Sequence, residues 1–184
     1  ARAVREPPPR LLDLTALQRA ANRRFGLSAA RTLAIAQALY ERDKLISYPR
    51  TDARHLPSDL ARELPARFAA LARIPAYAAI AGPLAAAPPR PSRRIVDDAE
   101  VSDHHAIIPT GAPPPAGLDR DRQRIFDLIV RWFLAAFYPD AEHAITEAWI
   151  RVGPAAGPAP AFPAERRGRA GDGDDDARAL ATAP

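Results

Sequence analysis

The segment Leu45-Ile46-Ser47-Tyr48-Pro49-Arg50-Thr51-Asp52 places a tyrosine, an arginine, a threonine and an aspartate in one short, proline-stiffened stretch. Pro49 fixes its own φ angle and favours extended backbone at Tyr48, so chain alternation predicts that Tyr48 and Arg50 share one side. A phenol, whose pKa is ordinarily ~10, becomes a nucleophile when a nearby cation stabilises the developing charge. The stretch predicts a site that attacks a phosphodiester. From local chemistry alone, a tyrosine packed in a turn is the commoner outcome.

Helical patterns precede this segment. Thr15 and Gln18 have capping-box spacing, and Gly26 ends the short helix that follows. Its apolar stripe comprises Leu17, Ala20, Ala21 and Phe25. Ser28 caps a second helix that runs to about Asp43 and delivers the chain to the tyrosine. This helix is expected to turn Leu33, Ala36, Leu39 and Tyr40 inward and to leave Arg31, Gln37 and Arg42 to solvent.

Further helices are predicted downstream. Ser58 opens a third helix toward Arg73, with an interruption at Pro65, and the proline-rich stretch 82–94 is interpreted as a connector. Residues 111–117 form a Pro-rich loop, after which Asp119 caps an amphipathic helix that ends near Tyr138. The apolar stripe of this last helix is Phe126, Ile129, Val130, Phe133 and Phe137, whose spacing is typical of a core rather than of a base-stacking platform.

Residues 144–152 alternate as a strand does, and residues 153–184 are Gly, Ala, Pro, Arg and Asp with almost no large apolar side chains. We therefore predict a lead-in linker over 1–13, a helical domain over 14–141, a strand over 142–152 and a disordered tail over 153–184. The aspartates of the tail lack the spacing of an EF-hand and indicate a solvated acidic stretch. The fold class is mainly α with a few short strands.

Composition narrows the class of protein. The 184 residues suffice for one core and carry a formal charge of +4, and Lys44 is the only lysine among 26 basic residues. Arginine suits phosphate recognition, although a genome-wide compositional bias would produce the same excess. The absence of cysteine excludes disulfides and thiolate metal sites, and no apolar run is long enough for a membrane span. A cytoplasmic location is therefore expected. The absence of methionine suggests an excised or fragmentary chain.

The segment 45–52 closely resembles the active-site signature of type IA DNA topoisomerases: a hydrophobic pair, Ser or Thr, Tyr, a variable residue, Arg, Thr or Ser, and Asp. Proline at the variable place is similar to the topoisomerase III branch. A second match, Val101-Ser102-Asp103-His104-His105-Ala106-Ile107-Ile108-Pro109-Thr110, resembles the histidine motif of the family. The segments around Pro7–Pro9, Leu14–Gln18, Arg23–Ala29 and Ile35–Glu41 also resemble the family, so the resemblance runs from about Pro7 to Trp149.

The resemblance implies ATP-independent transesterification on single-stranded DNA through a 5′-phosphotyrosyl link at Tyr48, followed by strand passage and rejoining. Arg50 would stabilise charge on the phosphate, and His104 would hydrogen-bond the phosphate or assist a proton transfer. Asp52 would orient Arg50 or the loop. Supporting or DNA-contacting roles fall to Thr51, Thr110 and Lys44, and His105 is expected to be structural. The fold implied is the tyrosine-bearing central domain of the topoisomerase toroid, with the strand over 142–152 beginning its arch domain.

In this family a separate TOPRIM domain supplies the carboxylates that hold Mg²⁺, and nothing in residues 1–184 resembles that domain. The chain is therefore expected to be incomplete and inactive alone, with a possible TOPRIM-containing remainder as its partner. Two alternatives stay open. One is a non-catalytic, Arg-rich module or gene remnant that binds single-stranded nucleic acid. The other is a purely structural helical interaction domain.

Overall fold

The computed structural model describes residues 2–146, which contain six α-helices and one two-stranded sheet. The strands are β1 (Arg2–Glu6) and β2 (Ala141–Ile145). The helices are α1 (Leu14–Phe25), α2 (Ala29–Glu41), α3 (Ser58–Ala61), α4 (Leu64–Ala72), α5 (Ala78–Ala86) and α6 (Arg120–Ala135). A 3₁₀ turn covers Asp98–Glu100. The predicted class, mainly helical with a few short strands, is confirmed. No helix of this part of the chain is long and apolar enough to cross a bilayer.

The helix boundaries follow from their caps. The Ser28 side chain accepts from the Arg31 N–H at the start of α2, and Asp119 does the same for the Arg122 N–H at the start of α6, as predicted. Gly26 ends α1 with a φ of 69°, a conformation that glycine adopts without a steric cost. The third predicted helix divides into α3 and α4, and Pro65 lies in the first turn of α4, where its missing N–H costs nothing.

Two predictions about the helices were wrong. The cap of α1 is Asp13, whose carboxylate accepts from the Ala16 N–H (2.6 Å), so the capping-box reading at Thr15 fails. Residues 82–94 are not connector throughout, because α5 continues through Pro83 to Ala86. This helix buries Ile80, Ala81 and Leu84, and burial against its neighbours offsets the weak helix propensity of glycine and proline.

The core lies between α6 and the other helices. One face of α6 is almost wholly buried, including the predicted residues Phe126, Ile129, Val130 and Phe133, with Phe137 following the helix. Phe68 of α4 packs on Phe133 and Phe137, with ring centroids 5.8 and 4.9 Å apart. In α2 the buried positions are Thr32, Ile35, Ala36 and Leu39, whereas Leu33 and Tyr40 are half-buried. The stripe of α2 is therefore rotated slightly from the predicted one.

The lead-in residues 2–13 are held against the domain. Strand β1 pairs antiparallel with β2, with Arg2 opposite Ile145. The indole N–H of Trp132 donates to the Arg10 carbonyl (2.8 Å), and the guanidinium of Arg94 donates to the Pro8 carbonyl (2.9 Å). The strand predicted over 142–152 begins at Ala141, and its remainder lies outside the described residues, as does the tail 153–184.

Candidate active site

Two distant segments meet at the site. The tyrosine segment (residues 45–52) follows α2, and the histidine segment (residues 104–110) precedes the loop to α6. They pair antiparallel at Ile46 and Pro109. The Ser47 N–H donates to the Ile108 carbonyl and the Thr110 N–H donates to the Leu45 carbonyl, both at 2.9 Å. Both motifs identified in the sequence therefore form one continuous piece of structure.

Two hydroxyl groups of the tyrosine segment bind the histidine segment. The Ser47 Oγ accepts from the Ile108 N–H (2.9 Å) and donates to the Ala106 carbonyl (3.1 Å). The buried Thr51 Oγ1 donates to the His104 carbonyl (3.3 Å). A hydroxyl can donate and accept at once, which a methyl group cannot do. The Thr51 Oγ1 also accepts from the Ala53 N–H (3.1 Å), so both hydroxyls donate and accept, which explains why Ser or Thr suits these positions.

The Tyr48 ring lies between two other rings. Its centroid is 5.4 Å from that of Tyr40, nearly perpendicular, and 4.4 Å from that of His104, tilted by 48°. Tyr48 is half-buried, and within residues 2–146 its phenol oxygen makes no hydrogen bond. The ring is thus fixed by packing on two sides.

Arg50 is exposed, and its guanidinium donates to the Gln37 side-chain carbonyl (3.0 Å). The Gln37 amide N–H in turn donates to the Glu41 carboxylate (3.2 Å). Because Gln37 and Tyr40 are three residues apart on α2, they lie on one face of the helix. Arg50 and Tyr48 consequently contact the same helix face. The sequence pattern assigns Gln37 to solvent, whereas the structure shows it half-buried and bound to Arg50. Its three-residue spacing to Tyr40 indicates a shared face only once Tyr40 is known to contact Tyr48.

The histidines have separate surroundings. His104 is exposed and packs on Tyr48. The His105 Nδ1 lies 2.7 Å from the Ala106 carbonyl, an acceptor only, so the ring proton belongs on Nδ1. His105 is therefore hydrogen-bonded to backbone while His104 faces the tyrosine.

The other predicted site residues lie around this centre. The Thr110 hydroxyl donates to the Lys44 carbonyl (2.9 Å). Lys44 itself has a φ of 55°, and its ammonium lies 5.7 Å from the Tyr40 ring centroid. Asp52 is exposed, and within residues 2–146 no ion pair joins it to Arg50, which Gln37 holds instead. The structure thus brings together Tyr48, His104, Thr51, Thr110 and Lys44, with Arg50 over the adjoining helix face.

Two further arginines support the segments. Arg67 of α4 donates to the Pro109 carbonyl (2.6 Å), and burial lowers the pKa of its guanidinium, an effect that Glu63 partly opposes. Arg122 of α6 binds Asp43 (3.0 Å) just before the tyrosine segment, and it also binds Asp119. These arginines anchor the backbone at Pro109 and at Asp43, and no local sequence pattern predicts either contact.

A family model described as DNA topoisomerase matches residues 1–158. The chain belongs to the type IA DNA topoisomerase family. It is 47% identical over 147 residues to DNA topoisomerase 3 of Shouchella clausii and 44% identical over 146 residues to that of Bacillus cereus. Each match covers 79% of this chain and 20% of the relative, so the chain spans about a fifth of the length of these topoisomerases.

The fold agrees with a solved topoisomerase. Full-length topoisomerase I from Thermotoga maritima superposes with a TM-score of 0.51 at 28% identity, over 77% of this chain and 22% of that one. The type IA topoisomerase resemblance, including its topoisomerase III-like character, is thereby confirmed.

Proposed function

We propose that this chain supplies the nucleophile half of a type IA topoisomerase active site, in which Tyr48 attacks a phosphodiester of single-stranded DNA. The phenol oxygen would form the 5′-phosphotyrosyl bond while the 3′ oxygen leaves, and the reverse reaction would reseal the strand. One bond replaces another of similar energy, so no ATP is consumed. The observation that carries this proposal is the Tyr48 ring, packed between Tyr40 and His104 with its oxygen unbonded within residues 2–146.

The neighbouring groups have roles that follow from their charge. Arg50, exposed but anchored by Gln37, would stabilise the negative charge that develops on the phosphate. His104, in ring contact with Tyr48, would hydrogen-bond the phosphate or assist a proton transfer. Thr51 and Thr110 would hold the two segments together. Lys44 would contact the DNA or support the site, and Asp52 would orient the loop.

Residues 2–146 do not fit a Mg²⁺ site, since they contain no group of three or more acidic or histidine side chains that could hold a metal. We propose that the Mg²⁺ of the complete enzyme is held by TOPRIM carboxylates outside this chain. On that basis the chain alone forms no covalent adduct. Relaxation or decatenation belongs to the complete enzyme, acting as a monomer on cytoplasmic, nucleoid DNA.

A covalent-trapping experiment tests the proposal. Labelled single-stranded DNA and Mg²⁺ are incubated with the chain or its Tyr48→Phe variant, each with and without an added TOPRIM fragment, and resolved on denaturing gels. An adduct that needs both Tyr48 and the fragment is the expected result. An adduct without the fragment contradicts the split site. Retained DNA binding with no adduct in any lane favours the non-catalytic nucleic-acid-binding module.

A further inference from the structure

A surface distant from Tyr48 is rich in arginine. Residues 14–40, which include α1 and most of α2, contain no Asp or Glu. They carry Arg19, Arg23, Arg24 and Arg31, and the start of α6 adds Arg120 and Arg124. Arg31 is neutralised by Asp121 (3.1 Å). A stretch of this length without a carboxylate leaves a positive potential that favours a polyanion.

Two of these arginines are held by one aromatic ring. The guanidinium carbons of Arg24 and Arg124 lie 6.0 and 5.5 Å from the centroid of the Phe25 ring. Arg24 is exposed, and no carboxylate within residues 2–146 pairs with either arginine. A guanidinium over a ring face keeps its in-plane N–H donors, which match phosphate geometry. Phe25 therefore orders two cations, the exposed Arg24 and the half-buried Arg124, and within residues 2–146 no carboxylate neutralises either of them.

This surface lies at the end of α1 that is farther from the tyrosine segment. The Leu14 N–H, at the beginning of α1, donates to the Thr51 carbonyl (3.0 Å), and α1 then runs for 12 residues to Phe25. At the rise of an α-helix this places Phe25 about 17 Å along the helix axis from that contact. Single-stranded DNA bound at Tyr48 would extend past the site, so that some of its phosphates would lie at about this distance from the tyrosine segment.

We infer that Arg24 and Arg124, ordered by Phe25, form a second contact surface for the phosphate backbone of single-stranded DNA. The inference rests on the proposed function for its substrate, but not on the chemistry of Tyr48. The structural alternative is that Arg24 stabilises the carboxyl end of α1 and that Arg124 only packs α6 against Phe25. That alternative predicts a lower melting temperature on substitution and unchanged DNA binding.

The test compares two double variants of the full chain by fluorescence anisotropy with a labelled oligothymidylate over a series of salt concentrations. Arg24→Ala/Arg124→Ala removes the proposed contacts, and Arg62→Ala/Arg90→Ala removes the same charge from exposed arginines elsewhere. Loss of two phosphate contacts should reduce the slope of log K against log salt by about 1.4 and weaken binding about 10- to 30-fold at 0.1 M salt. The control should retain both values. Equal slopes for the two double variants, or no binding by the unmodified chain, would overturn the inference.

A third variant and a second assay complete the design. Phe25→Leu keeps the charges but removes the ring, so binding should weaken roughly two- to fivefold with its salt slope preserved. An unchanged affinity for this variant would overturn the ordering role of Phe25. Covalent trapping is measured in parallel. If Arg24→Ala/Arg124→Ala reduces the salt slope but no protein forms a covalent product, only the chemistry proposed for Tyr48 is refuted. If a covalent product forms but this double variant keeps the full salt slope, only the second contact surface is refuted.

Discussion

The tyrosine and histidine segments meet along one bridge, yet their outward side chains are held differently. Tyr48 and Arg50 both contact α2, through Tyr40 and Gln37. His104 is exposed and packs on the Tyr48 ring, while its carbonyl is bound by Thr51. The helix therefore positions side chains of the tyrosine segment, whereas backbone pairing positions the histidine segment, and the His104 ring packs on Tyr48. Pairing and helix contacts are therefore separable, and each can be weakened by substitution.

Ser47→Ala weakens the pairing of the two segments and should have the largest effect on stability. It leaves the Ile108 N–H and the Ala106 carbonyl without the hydroxyl that serves both. Two lost hydrogen bonds of this kind cost about 2 kcal/mol in unfolding free energy. Urea denaturation measures the change. Ser47→Thr keeps the hydroxyl and is the matched control; equal losses for the two variants would show that the hydroxyl is not responsible.

Gln37→Ala removes the helix contact of Arg50 and leaves the pairing intact. A hydrogen bond to a charged group contributes about 1.5 kcal/mol, so the covalent-trapping rate with the TOPRIM fragment should fall roughly tenfold. The melting temperature should hardly change, because both side chains lie near the surface. Gln37→Glu retains an acceptor for Arg50 and should recover part of the rate. A full rate in the alanine variant would exclude Gln37 as a positioning residue.

Lys44→Gly alters the backbone at the point where α2 joins the tyrosine segment. Lys44 has a φ of 55°, which costs a non-glycine residue about 1–2 kcal/mol, and glycine recovers this at a smaller entropic cost. The variant should gain up to about 1 kcal/mol in stability by thermal denaturation, since Thr110 binds only the Lys44 carbonyl. Lys44→Ala, which keeps the strain, should show no gain. A destabilised glycine variant would mean that the side chain contributes more than the strain costs.

Asp119→Asn tests the residue that binds Arg122, the arginine that holds Asp43 just before the tyrosine segment. It should have the smallest effect of the four substitutions. The Arg122 N–H, followed by its side chain, lowers the pKa of Asp119. A carboxyl group with a lowered folded-state pKa stabilises above its unfolded pKa, and this stabilisation is lost as pH falls through the folded value. Asparagine keeps the cap without the charge. The melting-temperature difference between the two proteins should therefore shrink below about pH 4, and a difference that persists unchanged at pH 3 would contradict the assignment.

Local patterns predicted much of the helical framework. Ser28, Gly26 and Asp119 act at helix ends as expected because capping depends on a few adjacent residues. Asp13, instead of Thr15, caps α1. The adjacent Leu14 N–H donates to the Thr51 carbonyl, and no local pattern predicts this long-range contact. Likewise α5 passes through Pro83 because its apolar face is buried in the tertiary fold.

In the candidate site, too, local motifs predicted some residues, whereas tertiary contacts determined others. Tyr48, Arg50 and His104 were identified from their motifs, and the structure places Tyr48 against His104. Gln37 could not be assigned from the hydrophobic pattern of α2, since a polar residue beside the buried stripe resembles any solvent-facing one. Arg67 and Arg122 contact residues more than 40 positions away. Such contacts depend on how helices pack, which periodicity alone does not determine.

The bridge between Ile46 and Pro109 also constrains how this protein folds. The hydrogen-bonded partners Ser47 and Ile108 are 61 residues apart, and closing a flexible loop of that length costs roughly 3–4 kcal/mol. The helices α3 to α5 lie within that loop, so their formation shortens the search for the pairing. Contacts of such sequence separation form slowly unless intervening structure brings them together. The site is consequently expected to assemble late in folding, which makes the ring contact of Tyr48 with His104 a marker of the completed native state.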